Sequence, residues 1–396
     1  FNFESIVTNP DIFVSNTWKD VKNTASLYSK DTKLNKADAK VSYPSFMLKK
    51  EMIKRGYTDN PASGVNDVLD DGNTDGFDYQ DKSAIFRISI NADGLNLTNA
   101  NGNPLGAVTL TDTLPDGWEL SEITSGNDYL IFEGTAKNDW ESSVIAKDTT
   151  PVTVDGLTHT KTANSISLTF ETLDKPYVVL IKAKPNAETL EKYFGKNSNN
   201  TVTNTVKMTS ENWNTGIESK RNVTVKSSLL SKEAALVEAG IVNWTVDYKP
   251  YELDNIFSKI EDTLPMGLDL RTDANGNLLL DGNIKITELK LNADSSYTEG
   301  DVVTPVIGKD VSYDNETRVL TFNIPENTKA YRFSYLTDVT GEPGIVTNHV
   351  KLYGGDEEGE NTNSSYQISN QDGNATMRKS GWVDIFKIDG TTKAPL

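Results

Sequence analysis

The sequence predicts an all-β protein built from β-sandwich domains in tandem, with short helical insertions. Three observations carry this. Apolar residues alternate or run over strand-length segments from end to end. Asn, Asp, Gly and Pro punctuate those segments at short intervals. One ordered set of motifs occurs twice.

The strand segments include "SAIFRISINA", "SISLTFETL", "YVVLIKAK", "IVNWTVDY" and "TRVLTFNI". One stretch reads as a helix. Asn186 is placed to cap a turn whose Leu190, Tyr193 and Phe194 share a face, and Gly195 closes it.

The repeat divides the chain. "VSYPSFMLKKE" from Val41 aligns without gaps on "VTVKSSLLSKE" from Val223, so Leu48, Lys50 and Glu51 fall on Leu230, Lys232 and Glu233. "TDTLPDGWEL" then matches "EDTLPMGLDL", and "VTNTVKM" matches "VTNHVKL". The expected domains are residues 30–220 and 221–376. A third copy of the last motif, "VKNTASL" around Asn23, marks residues 1–29 as the terminal strands of a preceding domain. Residues 377–396 read as the start of another. The first unit carries extra sequence between its lysine and aspartate, mostly between Arg55 and Lys82, of the kind loops absorb at little entropic cost.

Composition bounds the function. The 396 residues suffice for two or three cores. No apolar run reaches bilayer-spanning length. A net charge of -18 argues against a nucleic-acid partner, which needs a concentrated basic footprint. The absence of cysteine removes disulfides, zinc-thiolate sites and thiol catalysis. Two histidines, His159 and His349, make neither a triad nor a zinc site, no phosphate loop or "G-x-S-x-G" is present, and nothing marks a glycosidase-type pair among the 57 acidic residues, so catalysis on an outside substrate finds little support.

Strand parity is where chemistry enters. Leu48 and Lys50 share one side of a strand, as do Leu110 and Asp112, and Val202, Asn204 and Val206; Leu230 and Lys232, Ile260 and Asp262, and Val346, Asn348 and Val350 repeat this. All six polar residues are expected to face inward. A buried lysine tends to lose its proton and a buried aspartate to gain one. A neutral amine is a nucleophile, and a protonated carboxyl donates to a carbonyl. Asp112 can therefore polarise the Asn204 amide for attack by Lys50, and Asp262 can do so for Asn348 and Lys232, expelling ammonia and leaving an amide cross-link. The alternative is a simple buried salt bridge beside a structural asparagine. Repetition of the whole set in the same order favours the cross-link.

These residues resemble a family. Lys, then Asp in a "D-T-L-P-x-G" turn, then Asn in a "V-x-N-T-[AV]" strand is similar to the isopeptide-forming Ig-like domains of Gram-positive surface adhesins and pilins, of the collagen-adhesin A or fimbrial isopeptide type, from about residue 30 to about 376. The resemblance implies autocatalytic Lys–Asn bonds, with Asp112 and Asp262 catalytic. It implies an extracellular, wall-anchored location and a role as a stalk or ligand-presenting region. Alternatives are direct binding of an extracellular-matrix protein such as collagen between the central domains, and a glycan-binding module using exposed Trp118, Trp140 or Trp213. The chain is expected to be a monomer within a longer protein. "VDIFKIDGTTKAPL" is similar to the opening of a collagen-adhesin B-type domain, which would make Lys387, like Asn23, half of a further cross-link. His349 departs from the family's Thr, with its side chain expected to face outward. "YKP" at Tyr248 to Pro250 has the wrong order for the pilin motif, so no major pilin subunit is inferred.

No cofactor is expected, and one stretch offers a candidate calcium site on motif grounds alone. Asp71, Asn73 and Asp75 with Gly76 form the first half of a D-x-N-x-D-G calcium loop, although Lys82 stands where the bidentate Glu belongs. The same residue types also serve turns for backbone reasons.

Overall fold

The computed structural model describes Glu4, residues 9–98, 105–136, 143–238, 240–273, 276–355 and 357–368, and the backbone of 374–377 and 383–386. The chain divides into two compact units. One comprises Phe1–Glu191 with Asn199–Val225, the other Lys192–Ser198 with Lys226–Leu396.

Each unit is a sandwich of two antiparallel sheets. In the first, one sheet runs Leu48–Met52, Ala84–Ile90, Tyr177–Pro185, Tyr129–Ala136, Val144–Ala146, with Trp118–Ser121 also paired to Tyr177–Pro185. Its mate runs Trp213–Ser227, Ser198–Ser210, Val108–Thr113, Ser165–Phe170, Leu157–Lys161. In the second unit the sheets are Leu230–Glu238, Ile241–Tyr248, Ala330–Val339, Ile284–Leu291, Tyr297–Val303, with Leu268–Leu270 on Ala330–Val339, and Val311–Asp314, Val319–Asn323, Lys259–Thr263, Gly344–Gly354, Glu357–Ile368. Inward residues of both sheets fill each core. Leu48, Ile88, Val179 and Ile181 from one sheet meet Leu110, Leu168, Val206 and Met208 from the other. Leu230, Trp244, Val246 and Phe333 meet Ile260, Leu320, Val350 and Leu352. This is the layering that one apolar face per strand requires.

The D-T-L-P-x-G motif bends the chain directly after each aspartate. Trp118 N donates to Pro115 O at 3.0 Å across the first turn, whose Gly117 sits at φ +76; Gly267 sits at φ +92 in the second. Left-handed backbone at that turn position suits glycine. The helix spans Ala187–Phe194, and Asn186 Oδ1 accepts from Thr189 N at 2.9 Å, as the sequence predicts.

The sequence insertion has a structural consequence that parity alone misses. In the first unit residues 53–83 lie over the outer face of the Lys50 sheet, where Ile53 and Val65 pack with Ile85, Phe132, Val178 and Leu180 in a second core. Ala84–Ile90 is therefore buried on both faces, whereas the equivalent Ile241–Tyr248 is not. Glu51 and Glu233 align in the repeat, yet Glu51 is 2% exposed and Glu233 is on the surface. Glu51 pairs with the buried Arg87 and accepts from Ser89 Oγ at 2.9 Å and from Ser143 Oγ. Arg87 also donates to the carbonyls of Val65 and Val144, tying the covering segment to the sheet. Glu51→Ala strands this guanidinium in the interior and should lower stability by about 3–5 kcal/mol. Urea titration of this variant against the parent checks the loss.

Residues Asn16–Ser29 and Thr32–Phe46 form a two-stranded antiparallel ribbon in which Asn23 stands opposite Ala39. The Asn23 side chain is exposed.

Candidate cross-linking centres

The first set is assembled across the sandwich. Lys50 projects inward from the edge strand Leu48–Met52, and Asp112 comes from the central strand of the facing sheet. Asp112 stands opposite Val206 on the neighbouring strand, which puts Asn204 on the same face one pleat further along. Lys50 Nζ is 2.7 Å from Asp112 Oδ2 and 5.0 Å from the centre of the Phe86 ring. The lysine and aspartate side chains are 0% and 1% exposed, and Asn204 is 0% exposed. Among the described residues, Asp112 Oδ1 and both polar atoms of the Asn204 amide have no hydrogen-bond partner of normal geometry. The amide nonetheless lies close enough to favour the charged form of Asp112.

The second set repeats the plan. Lys232 lies on the edge strand Leu230–Glu238, Asp262 on the central strand Lys259–Thr263 opposite Val350, and Asn348 one pleat along from Val350. Lys232 Nζ contacts Asp262 Oδ2, with both side chains fully buried, and lies 5.2 Å from the Trp244 ring centre. Asp262 Oδ1 and Asn348 Oδ1 have no partner. His349 points outward, as parity predicts.

Burial dominates the electrostatics of both sets. Desolvation pulls Lys50 below the usual lysine range against the opposing pull of Asp112, and brings Lys232 down to about 8 against Asp262. The same desolvation raises Asp112 and Asp262, although their lysines oppose it. A dry interior thus works against the ion pair and toward a neutral amine beside a protonated carboxyl.

One polar group here was not foreseen. Tyr335 Oη donates to Asp262 Oδ2 at 2.6 Å and accepts from Asn348 Nδ2 at 2.7 Å and from Lys232 Nζ at 3.1 Å. In the sequence it is one more inward aromatic of "YRFSYL", and only the fold places its hydroxyl among the three. Register locates its counterpart. Trp244 pairs with Tyr335 as Phe86 pairs with Ile181, each two residues along from the lysine's own ladder. The first set therefore has Ile181 where the second has Tyr335.

The remaining candidates are dispersed. Asp71 faces Lys49 at 3.0 Å and Arg221 at 3.8 Å, Asp75 pairs with Arg55, and Asn73 Oδ1 accepts from Asp75 N at 3.0 Å. Among the described residues no three His, Cys, Asp or Glu side chains gather to hold a metal. The exposed-tryptophan reading needs correction. Trp118 is 2% exposed against Phe77, and Trp213 is 7% exposed with its Nε1 donating to Asp11 Oδ1 at 2.8 Å. Both are core residues because each lies on an inward strand position. Trp140 and Lys387 lie outside the described residues.

Fold and sites together define a protein of successive β-sandwiches, each sealing one lysine, one aspartate and one asparagine in its core. No family model matches the chain, and no curated protein matches it. Solved structures match it at low identity. The C-terminal domain of the Streptococcus agalactiae AgI/II polypeptide BspA is 10% identical over 81% of this chain and 97% of that one, with a TM-score of 0.29. The C-terminal domain of the Streptococcus pyogenes antigen I/II-family protein AspA is 11% identical over 82% and 99%, with a TM-score of 0.30. A collagen-binding domain from a Staphylococcus aureus adhesin is 18% identical over 36% and 99%, with a TM-score of 0.26.

Proposed function

We propose that each sandwich joins its own lysine to its own asparagine, Lys50 to Asn204 and Lys232 to Asn348, and that the chain is a mechanically locked stalk or ligand-presenting region of a cell-surface adhesin. The observation that carries the reading is the same in both cores. A buried amine sits on a buried carboxyl beside an asparagine whose carbonyl oxygen has no partner.

In the reactive form the amine is neutral and the aspartate holds the proton. The aspartate O–H donates to the asparagine carbonyl, the empty acceptor, and raises the electrophilicity of Cγ. The lysine nitrogen attacks Cγ, the C–Nδ2 bond breaks, and the proton released by the amine leaves with Nδ2 as ammonia. An amide is left and no external reagent is consumed. Proximity supplies much of the rate, because the sandwich holds the reacting groups together before any bond forms.

The bond would tie the first edge strand of each sandwich to a strand near its end. Tension entering at the ends would then pass through the covalent link and leave the intervening strands unloaded. In a chain without cysteine this is a staple that no reductant opens. The surface-adhesin part of the reading rests on the resemblance carried by the repeated motifs.

A pH profile tests the chemistry. Lysine and aspartate share one proton in the reactive form, so the pair titrates as a unit and bond formation should be bell-shaped in pH. For the second set the upper limb is expected near the lysine value of about 8, where the shared proton is lost. Protein isolated in urea from inclusion bodies, before it has folded or joined, then diluted into buffers of different pH and followed by mass, gives the rates. A rate still climbing well above that pH would remove the aspartate's role as acid.

A further inference from the structure

We propose that Tyr335 is a third catalytic residue of the second centre, handing a proton to the departing amide nitrogen of Asn348, a step for which the first centre has no counterpart. This inference rests on the cross-linking reading above.

The leaving group sets the requirement. Amide nitrogen departs poorly as an anion and must gain a proton as the C–N bond breaks. In a core without bulk water that proton must come from a group already in contact. The Tyr335 hydroxyl is that group, 2.7 Å from Asn348 Nδ2 and 2.6 Å from Asp262 Oδ2. It is also 3.1 Å from the attacking Lys232 Nζ. The hydroxyl therefore touches nucleophile, acid and leaving group at once. Its side chain is completely buried, and its ring packs near Phe322 at a centroid distance of 6.1 Å.

The protons balance as a relay. Lys232 attacks Cγ and the new C–N bond forms. As the C–Nδ2 bond breaks, its electron pair stays on nitrogen and takes the proton of Tyr335 Oη. Tyr335 recovers a proton from Asp262, and Asp262 recovers one from the former amine. Tyrosine and aspartate end as they began, and ammonia is the only product released. Burial holds the phenol well above its usual range, so the hydroxyl gives and receives together and does not rest as phenolate.

The first centre provides an internal control. Ile181 occupies the register position of Tyr335, so Asp112 alone must serve both the carbonyl and the leaving nitrogen. Full-length protein carrying Tyr335→Phe keeps the ring and loses only the hydroxyl. After dilution from urea, peptides joined through Lys232 and Asn348 should accumulate at least tenfold more slowly than in the parent, within the range of general acid–base effects. Peptides joined through Lys50 and Asn204 should be unaffected. A parent-like rate at the second centre overturns the relay. A parent protein that joins neither pair overturns the cross-linking reading itself, a distinguishable result. Incorporation of 3,5-difluorotyrosine at position 335 covers the case in which Tyr335→Phe misfolds, because it keeps the hydroxyl and changes its acidity. The relay predicts that the second-centre rate and its pH profile move with that acidity, and an unchanged rate and profile overturn it.

Discussion

Intact protein is expected to weigh two ammonia molecules less than its 43.6 kDa sequence mass. Each cross-link expels one, and nothing else in the proposed reaction changes mass. Asp112→Ala should restore one ammonia and Asp262→Ala the other, because each removes the acid from one centre and leaves the other sandwich untouched. Protease digestion should yield a branched peptide containing Lys50 and Asn204 and another containing Lys232 and Asn348. A parent mass equal to the full sequence mass ends the cross-link reading. Loss of ammonia that survives both aspartate replacements would place the chemistry elsewhere. The substitutions also leave a buried lysine without its carboxylate, so unbonded variants should be less stable for that reason too.

The second large effect is on stability, and Asn348→Ala isolates it. This change removes the electrophile and keeps the Lys232, Asp262 and Tyr335 contacts, so the loss reports the covalent link more than the polar cluster. The proposed bond would close a loop of more than 100 residues, from Lys232 to Asn348. In the chain-entropy model a closed loop of that size contributes about 5 kcal/mol. For a unit of this size the loss corresponds to a fall in melting temperature of roughly 10–20 °C. Calorimetry should show the shift in the transition of the second unit alone. A parent-like melting curve would mean that no link closes that loop.

Much of the architecture was legible because sandwich strands have a two-residue period and their turns demand particular residues. The inward position of all six set residues follows from that period, and so does the outward His349. Glu51 and Glu233 mark where legibility ends. They align without a gap, yet Glu51 is buried where residues 53–83 fold back over its sheet, and Glu233 is exposed. Parity names the face on which a side chain lies. It does not say what lies over that face. Trp118 and Trp213 make the same point, since an aromatic suited to a binding surface is equally suited to a core.

By itself the sequence determined the strand-rich class, the duplication and the identity and inward direction of Lys50, Asp112, Asn204, Lys232, Asp262 and Asn348. These depend on local periodicity and turn chemistry, which neighbours in sequence specify. Tertiary structure alone decided which groups meet across the sandwich. It brought Lys50 Nζ within 2.7 Å of Asp112, left the Asn204 and Asn348 carbonyl oxygens without partners among the described residues, and set the Tyr335 hydroxyl among Lys232, Asp262 and Asn348 while placing Ile181 in the matching position of the first unit. Such meetings depend on how two sheets stack and on the register of strands far apart in the chain, which no local pattern encodes.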